Sequence, residues 1–251
     1  MMQHSNAGYF SPDAVILSPV MPLWDHGNFC APLVLLLEKM GYRVSIIDTL
    51  SLINHVNPDL IDPDCFINTI EFELTQRFSK PYLLIGFAMA GTLVQLLAPR
   101  LKTITGVISI SGPGYADILL SDKLGQLIIL LKKSQLDEAI SLLHDFVIPK
   151  GGTPLPSVSA IPNHLKGIAQ KRLIMGFSLL LQFDARTALC NYKGKFLSIV
   201  GECSQLATVR NQVVSPNLMH CFVVAEGAGM RPWNDQPEFI NDVINDWLKI
   251  L

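Results

Sequence analysis

One corner constrains this chain more than any other stretch of it. Residues 81–91 read Pro-Tyr-Leu-Leu-Ile-Gly-Phe-Ala-Met-Ala-Gly. An apolar strand runs straight into Gly86-Phe87-Ala88-Met89-Ala90-Gly91, and a helical stretch from Thr92 to Leu97 follows without a linker. Glycines bracket the corner, and Ala88 stands at its apex. A sharp strand-to-helix corner belongs to a layered α/β architecture. The alanine at its apex has no atom able to attack a carbonyl.

The pattern on either side supports that class. Short apolar runs at 14–17, 44–48, 107–111, 196–200 and 221–224 read as buried strands. Helical spacing is visible over 28–40, which stops at Gly41, and over 64–79. Further helices are expected at 117–133, 135–147, 164–183, near 205–214, and from about Pro237 to Ile250. A Pro/Gly-rich segment from Pro149 to Pro162 interrupts the central helical block. Strands alternating with helices predict a mostly parallel central sheet flanked by helices. The block at 117–183 reads as a helical cap inserted into one core built from 1–116 and 184–251. Ligands in α/β folds sit at the carboxyl ends of the strands, so such a cap would roof a pocket.

At 251 residues the chain reads as a single domain with a sizeable core. A net charge of −2 gives no basic field for nucleic acid or anionic lipid. The longest purely apolar run of the helical block, Leu127 to Leu131, stops at Lys132-Lys133 and is far shorter than the roughly 20 residues of a membrane span. No signal-peptide pattern is visible. The cysteines Cys30, Cys65, Cys190, Cys203 and Cys221 form no C-x-x-C pair, which predicts buried free thiols in a cytoplasmic protein. No H-x-x-x-H, H-E-x-x-H or cysteine quartet suggests a metal, and no Gly-Lys-Ser/Thr follows a glycine-rich turn, so no cofactor is implied.

In order and spacing, these pieces resemble the α/β-hydrolase superfamily, and within it the small bacterial esterases such as the pimeloyl-carrier methyl ester esterases. The resemblance rests on the corner at 86–91, on Gly106 to Gly112, and on Asp184-Ala185-Arg186 before a strand ending Ile199-Val200-Gly201-Glu202. It rests also on Glu226-Gly227-Ala228-Gly229-Met230-Arg231-Pro232-Trp233 with Gln236-Pro237-Glu238 after it. The resemblance implies a nucleophilic serine at Ala88, an acid three residues after Gly201, at Ser204, and a histidine after the Ala-Gly pair, at Met230. It implies a His-Gly oxyanion loop after the first strand, where Ser18-Pro19 stand, and proline has no N–H to donate. All the triad-equivalent positions depart together. A serine-to-alanine exchange explains Ala88 alone. Asp184 and Arg186 are expected to pair at the junction of cap and core.

A ligand pocket is expected around Ser18, Pro19, Val20, Ala88, Met89, Ser204 and Met230. Of the six histidines, His26 falls in the loop after the first strand, where Asp25–His26 would form a relocated base. His220 begins a strand at the wrong end of the sheet, His144 and His164 are expected at the surface of the cap, and His4 and His55 lie in a tail and a loop. Cys203 reads as an inert thiol, Ser109 and Ser111 as sheet residues, and Asp48 as a turn cap. Three functions follow. The first is a triad-less protein binding a small apolar or acyl-type ligand or a protein partner, a second copy of itself included. The second is a lyase- or isomerase-type enzyme using relocated residues. The third is an ordinary carboxylesterase or thioesterase, which the absence of any histidine beyond His220 opposes.

Overall fold

The computed structural model describes residues 12–53, 62–153 and 161–251. In chain order its elements are β1 (Asp13–Leu17), α1 (Ala31–Lys39), β2 (Arg43–Ile47), α2 (Pro63–Arg77), β3 (Tyr82–Phe87), α3 (Met89–Leu97) and β4 (Ile104–Ile110). There follow α4 (Ile118–Lys132), α5 (Leu136–Val147), α6 (Lys166–Leu180), α7 (Arg186–Asn191), β5 (Phe196–Gly201), β6 (His220–Ala225), α8 (Pro232–Asp235) and α9 (Pro237–Leu248). The strands form one sheet in the order β2-β1-β3-β4-β5-β6. Each neighbouring pair is parallel.

The near-continuous apolar strands are explained by helices on both faces. Side chains alternate between two cores. Ala14 and Ile16 of β1 face a core completed by Leu33 and Leu37 of α1 and by Ile240, Ile244 and Trp247 of α9. Val15 and Leu17 face the other, with Phe66, Ile70 and Leu74 of α2 and Leu93, Val94 and Leu97 of α3. That second core continues without a break into the helices between β4 and β5, through Leu120, Leu124, Leu127, Leu173 and Phe177. The buried positions of α9 recur at i, i+4 and i+7, the stripe that a one-sided helix needs.

The corner after β3 depends on close approach. A Cβ on Gly86 would lie 2.1 Å from the Ala90 carbonyl oxygen, and one on Gly91 would lie 2.7 Å from the Gly112 Cα. Glycine is the residue that permits both contacts. Around them, the Gln95 amide donates to the Gly91 carbonyl at 3.0 Å and to the Ser109 hydroxyl at 3.1 Å, and the Ser109 hydroxyl donates to the Gly91 carbonyl at 3.0 Å. Thr92 adds a bond from its hydroxyl to the Pro113 carbonyl at 2.6 Å. These buried polar groups satisfy one another and pin α3 to the end of β4.

Two contacts tie the helices between β4 and β5 to the sheet. At their base, Tyr115 bridges to Asp184. Arg186 pairs with Asp184 at 2.5 Å, as the sequence led us to expect, and lies over the Tyr115 ring. Higher up, Arg172 of α6 grips Asp48, at the end of β2, with bonds of 2.8 and 3.0 Å, and its Nε donates to the Met21 carbonyl. The two side chains are only 7% and 8% exposed. The carboxylate of Asp48 is thus committed to α6 and does not cap the turn that follows it.

Several expectations are corrected. The helix expected near 205–214 is a single 3-10 turn at Val209–Asn211. The polar side chains there bond to the local backbone: Asn211 donates to the Leu206 carbonyl and accepts from the Thr208 N–H, and Gln212 donates to the Thr208 carbonyl. Such bonds compete with helix formation. The short α7 was not anticipated. The helix expected over 28–40 is divided into a 3-10 turn, Asn28–Cys30, and α1. Of the five free cysteines only Cys30 is buried, where burial and the charge of Asp25 push its thiol up to about 12; Cys65 is exposed and the others are half-buried. Among the described residues no helix is long and apolar enough to cross a membrane.

Gly86→Ala is expected to lose about 3 kcal/mol of stability, since the new methyl meets backbone that has nowhere to move; urea unfolding measures it. Arg172→Met is expected to lose about 3–5 kcal/mol by leaving Asp48 buried and unpaired, and the double variant Asp48→Leu/Arg172→Met should recover most of that loss.

Candidate functional site

The strand order reverses between β1 and β3, so the loops that leave their carboxyl ends diverge and open a crevice. Ala88 sits at that point with φ 52° and ψ −119°. Its N–H still bonds the Ile110 carbonyl at 3.0 Å, and its carbonyl accepts from Thr92 N–H at 3.2 Å in the first turn of α3. One residue therefore changes strand into helix, at a backbone geometry that L-residues rarely adopt.

Above this corner lies a cavity of about 500 Å³. Pro19 to Pro22, after β1, form one side, and Phe87, Ala88 and Met89 the floor. The helices between β4 and β5 supply Leu120, Leu124, Ile140, Leu143, Val147, Phe177 and Leu180. Leu206 and Ala207, after β5, and Met230 and Arg231, after β6, close it. The Met230 sulfur accepts the Ala207 N–H at 3.3 Å, so these two loops meet through a thioether.

No protein-family model matches the sequence, and no curated protein matches it significantly. Solved structures do. MGS-M2, an α/β-hydrolase enzyme from a Medee basin deep-sea metagenome library, superposes with a TM-score of 0.72 at 11% identity, over 99% of this chain and 92% of its own. A non-heme bromoperoxidase homologue, BpoC from Mycobacterium tuberculosis, gives 0.74 at 13%, over 96% and 92%. An esterase from Exiguobacterium antarcticum gives 0.66 at 15%, over 96% and 93%. The chain has the α/β-hydrolase fold.

The corner at Ala88 follows β3, and the loops carrying Ser204 and Met230 follow β5 and β6. Pro19, Val20, Ala88, Met89 and Met230 line the cavity as the sequence suggested. Ser18 and Ser204 do not. The N–H of Ser18 bonds the Ile47 carbonyl and its own carbonyl accepts the Thr49 hydroxyl, so it prolongs the sheet beneath the wall. Ser204 folds back in a turn to the Gly201 carbonyl and is buried, and Leu206 and Ala207 reach the wall in its place.

The Asp25–His26 base is not assembled. Both carboxylate oxygens of Asp25 accept backbone N–H groups, from Gly27 at 2.9 Å and Phe29 at 2.7 Å, so they cap the turn ahead of α1. His26 is exposed, with φ 58°, and neither residue lines the cavity. Cys203 is half-buried and off the wall. His220 sits at the start of β6 against Tyr192 and Phe196, at the far end of the sheet from the cavity, as anticipated. His164 is exposed, and His4 and His55 lie outside the described residues.

The sequence reading missed two residues. His144 of α5, expected at the surface, lines the cavity, and so does Arg231. Burial and the positive charge of Arg231 push the imidazole of His144 below its usual range, with Asp145 opposing, so the ring is neutral at pH 7. Burial also lowers the Arg231 guanidinium, against the pull of Asp235. The available signal was helical phase: Ile140, Leu143, His144 and Val147 are spaced i, i+3, i+4 and i+7 and share a face. Among the described residues the wall carries no hydroxyl, carboxylate or thiol, and its only ionisable side chains are His144 and Arg231.

Ala88→Gly is expected to raise stability by about 1 kcal/mol, because relief of the backbone strain exceeds the extra chain entropy of glycine. Thermal and urea unfolding of the two proteins give the comparison.

Proposed function

We propose that this α/β-hydrolase-fold protein has lost the Ser-His-Asp triad and binds a small apolar or acyl-type ligand in a pocket roofed by a helical cap, residues 117–183, over a core of 1–116 and 184–251. One observation carries the reading. The wall that would hold a nucleophile and its acid–base partners offers a methyl group at Ala88 and a thioether at Met230, and no hydroxyl, carboxylate or thiol among its described residues. Acyl transfer on this fold needs a nucleophile, a base to take its proton and an acid to orient the base. Ala88 cannot attack, Met230 cannot carry a proton, and Ser204 is buried and does not line the wall. What remains is the common make-up of a ligand site: a preformed apolar chamber with a few convergent polar groups.

A second reading, a non-hydrolytic enzyme with a relocated base, draws its support from His144. It is the one side chain on the wall that is neutral at pH 7 and able to accept a proton. Its test is a substrate-independent one: proton exchange or turnover of any co-purified ligand that His144→Ala abolishes.

The binding reading is tested by native mass spectrometry of the purified protein, which should reveal a co-purified apolar or acyl compound. In parallel, a panel of nitrophenyl esters and acyl thioesters at near-stoichiometric protein should show no turnover above a heat-denatured control. Ala88→Ser should stay silent too, because no base stands at Met230. Clear turnover by the wild-type protein, or by that single variant, would sink the triad-less assignment.

A further inference from the structure

We propose that the pocket selects an anionic amphiphile, a monocarboxylate with an apolar chain, with its head on Arg231 and its chain along Leu120, Leu124, Leu143 and Phe177. This ligand class presupposes the binding role argued above and specifies which end of the ligand the protein recognises.

The starting point is a cation in an apolar wall. Arg231 is half-buried, and among the described residues no hydrogen bond or salt bridge reaches its guanidinium. Its neighbours are the Phe29 ring, with its centroid 5.4 Å from the guanidinium carbon, and Asp235, which acts on it through its charge and makes no salt bridge with it. Asp235 is itself engaged, accepting the Gly229 N–H at 2.8 Å. A guanidinium keeps its charge and presents five donors in a planar fork. Leaving those donors short of water and of partners is unfavourable, and a planar carboxylate is the group that satisfies them two at a time. An uncharged apolar ligand would fill the same volume while stripping Arg231 of its remaining water, so the wall discriminates against it.

His144 makes the same site sensitive to pH. The charged groups acting on it are Arg231, from the loop after β6, and Asp145, on its own helix and exposed. Burial and the charge of Arg231 together favour the neutral ring. A carboxylate seated on Arg231 cancels part of that positive field and favours the imidazolium. Binding then takes up a proton, and by linkage acidification tightens the complex. The sign is fixed by the direction of the shift: the empty site holds fewer protons than the occupied one. The effect is read on the acid side of neutral pH, while an aliphatic carboxyl group, with a pKa of about 4 to 5, stays ionised.

The experiment uses the full chain, stripped of co-purified ligand on a hydrophobic resin, with decanoate and 1-decanol as probes in titration calorimetry. The wild-type protein should bind decanoate at least about tenfold tighter than decanol at pH 7.5, and tighter still at pH 6, with decanol unchanged. Arg231→Leu should erase the preference and keep decanol binding. His144→Gln should keep the preference at pH 7.5 and lose its increase on acidification. If the wild-type protein binds both probes equally, the head-group assignment is overturned and the apolar pocket stands. If it binds neither, the binding role itself falls. Should Arg231→Leu not fold, the wild-type ratio and its pH dependence decide alone.

Discussion

The site depends on how closely α3 is drawn onto the ends of β3 and β4. Gly86, Gly91 and Gly112 leave no room for a Cβ at these contacts, and the bonds from Gln95, Ser109 and Thr92 lock them from behind. With the helix held there, the chain has one residue in which to turn from strand to helix. Ala88 must take the conformation that follows, φ 52°. Ser111, at the neighbouring corner, is held at φ 49° with its N–H bonded to the Ile199 carbonyl. In an enzyme, strain at such a corner is offset by the exposed nucleophile it presents. Here the same kind of corner carries a methyl group at its apex. The corner is therefore maintained by packing, through the contact that joins α3 to the sheet.

The helices between β4 and β5 rest on a different kind of constraint. Asp48 and Arg172 are 124 residues apart and meet in a nearly dry place. A buried pair gives little net stability over an apolar replacement, yet it is very sensitive to the loss of one partner. Arg172 also donates to the Met21 carbonyl, so one guanidinium fixes α6, the end of β2 and the proline-rich side of the cavity together. This makes the pair a device for position, and the shape of the chamber follows from it.

These two constraints explain what was legible in the sequence. The strands, the corner at Ala88 and the Pro19, Val20, Met89 and Met230 walls could be read because each is local: an apolar run, a glycine bracket, a fixed offset from a strand end. Asp48 was misread because its partner lies on an element placed by tertiary packing. Ser204 was misplaced because an offset from Gly201 gives a position along the loop and not the direction of a side chain, which the turn back to Gly201 decides. Asp25 and His26 looked like a base because they are adjacent in sequence, but the backbone N–H groups of Gly27 and Phe29 claim both carboxylate oxygens. His144 was missed because a histidine on an amphipathic helix can be placed only when the surface that the helix covers is known.

A thioether at position 230 has an electrostatic consequence for the whole chamber. A triad's polar network would bring hydrogen-bonding partners and a carboxylate to this wall. Here the loops after β5 and β6 are joined by the bond from Ala207 N–H to the Met230 sulfur, a weak acceptor that adds no charge. Nothing on the described wall then balances Arg231, and its field falls on His144, the one neighbour able to respond by giving up its proton. The low dielectric that makes an apolar chamber a good ligand site also makes an unpaired cation in it a strong discriminator. The thioether that joins the two loops without adding charge thus also leaves the guanidinium as the strongest electrostatic feature that a ligand would meet.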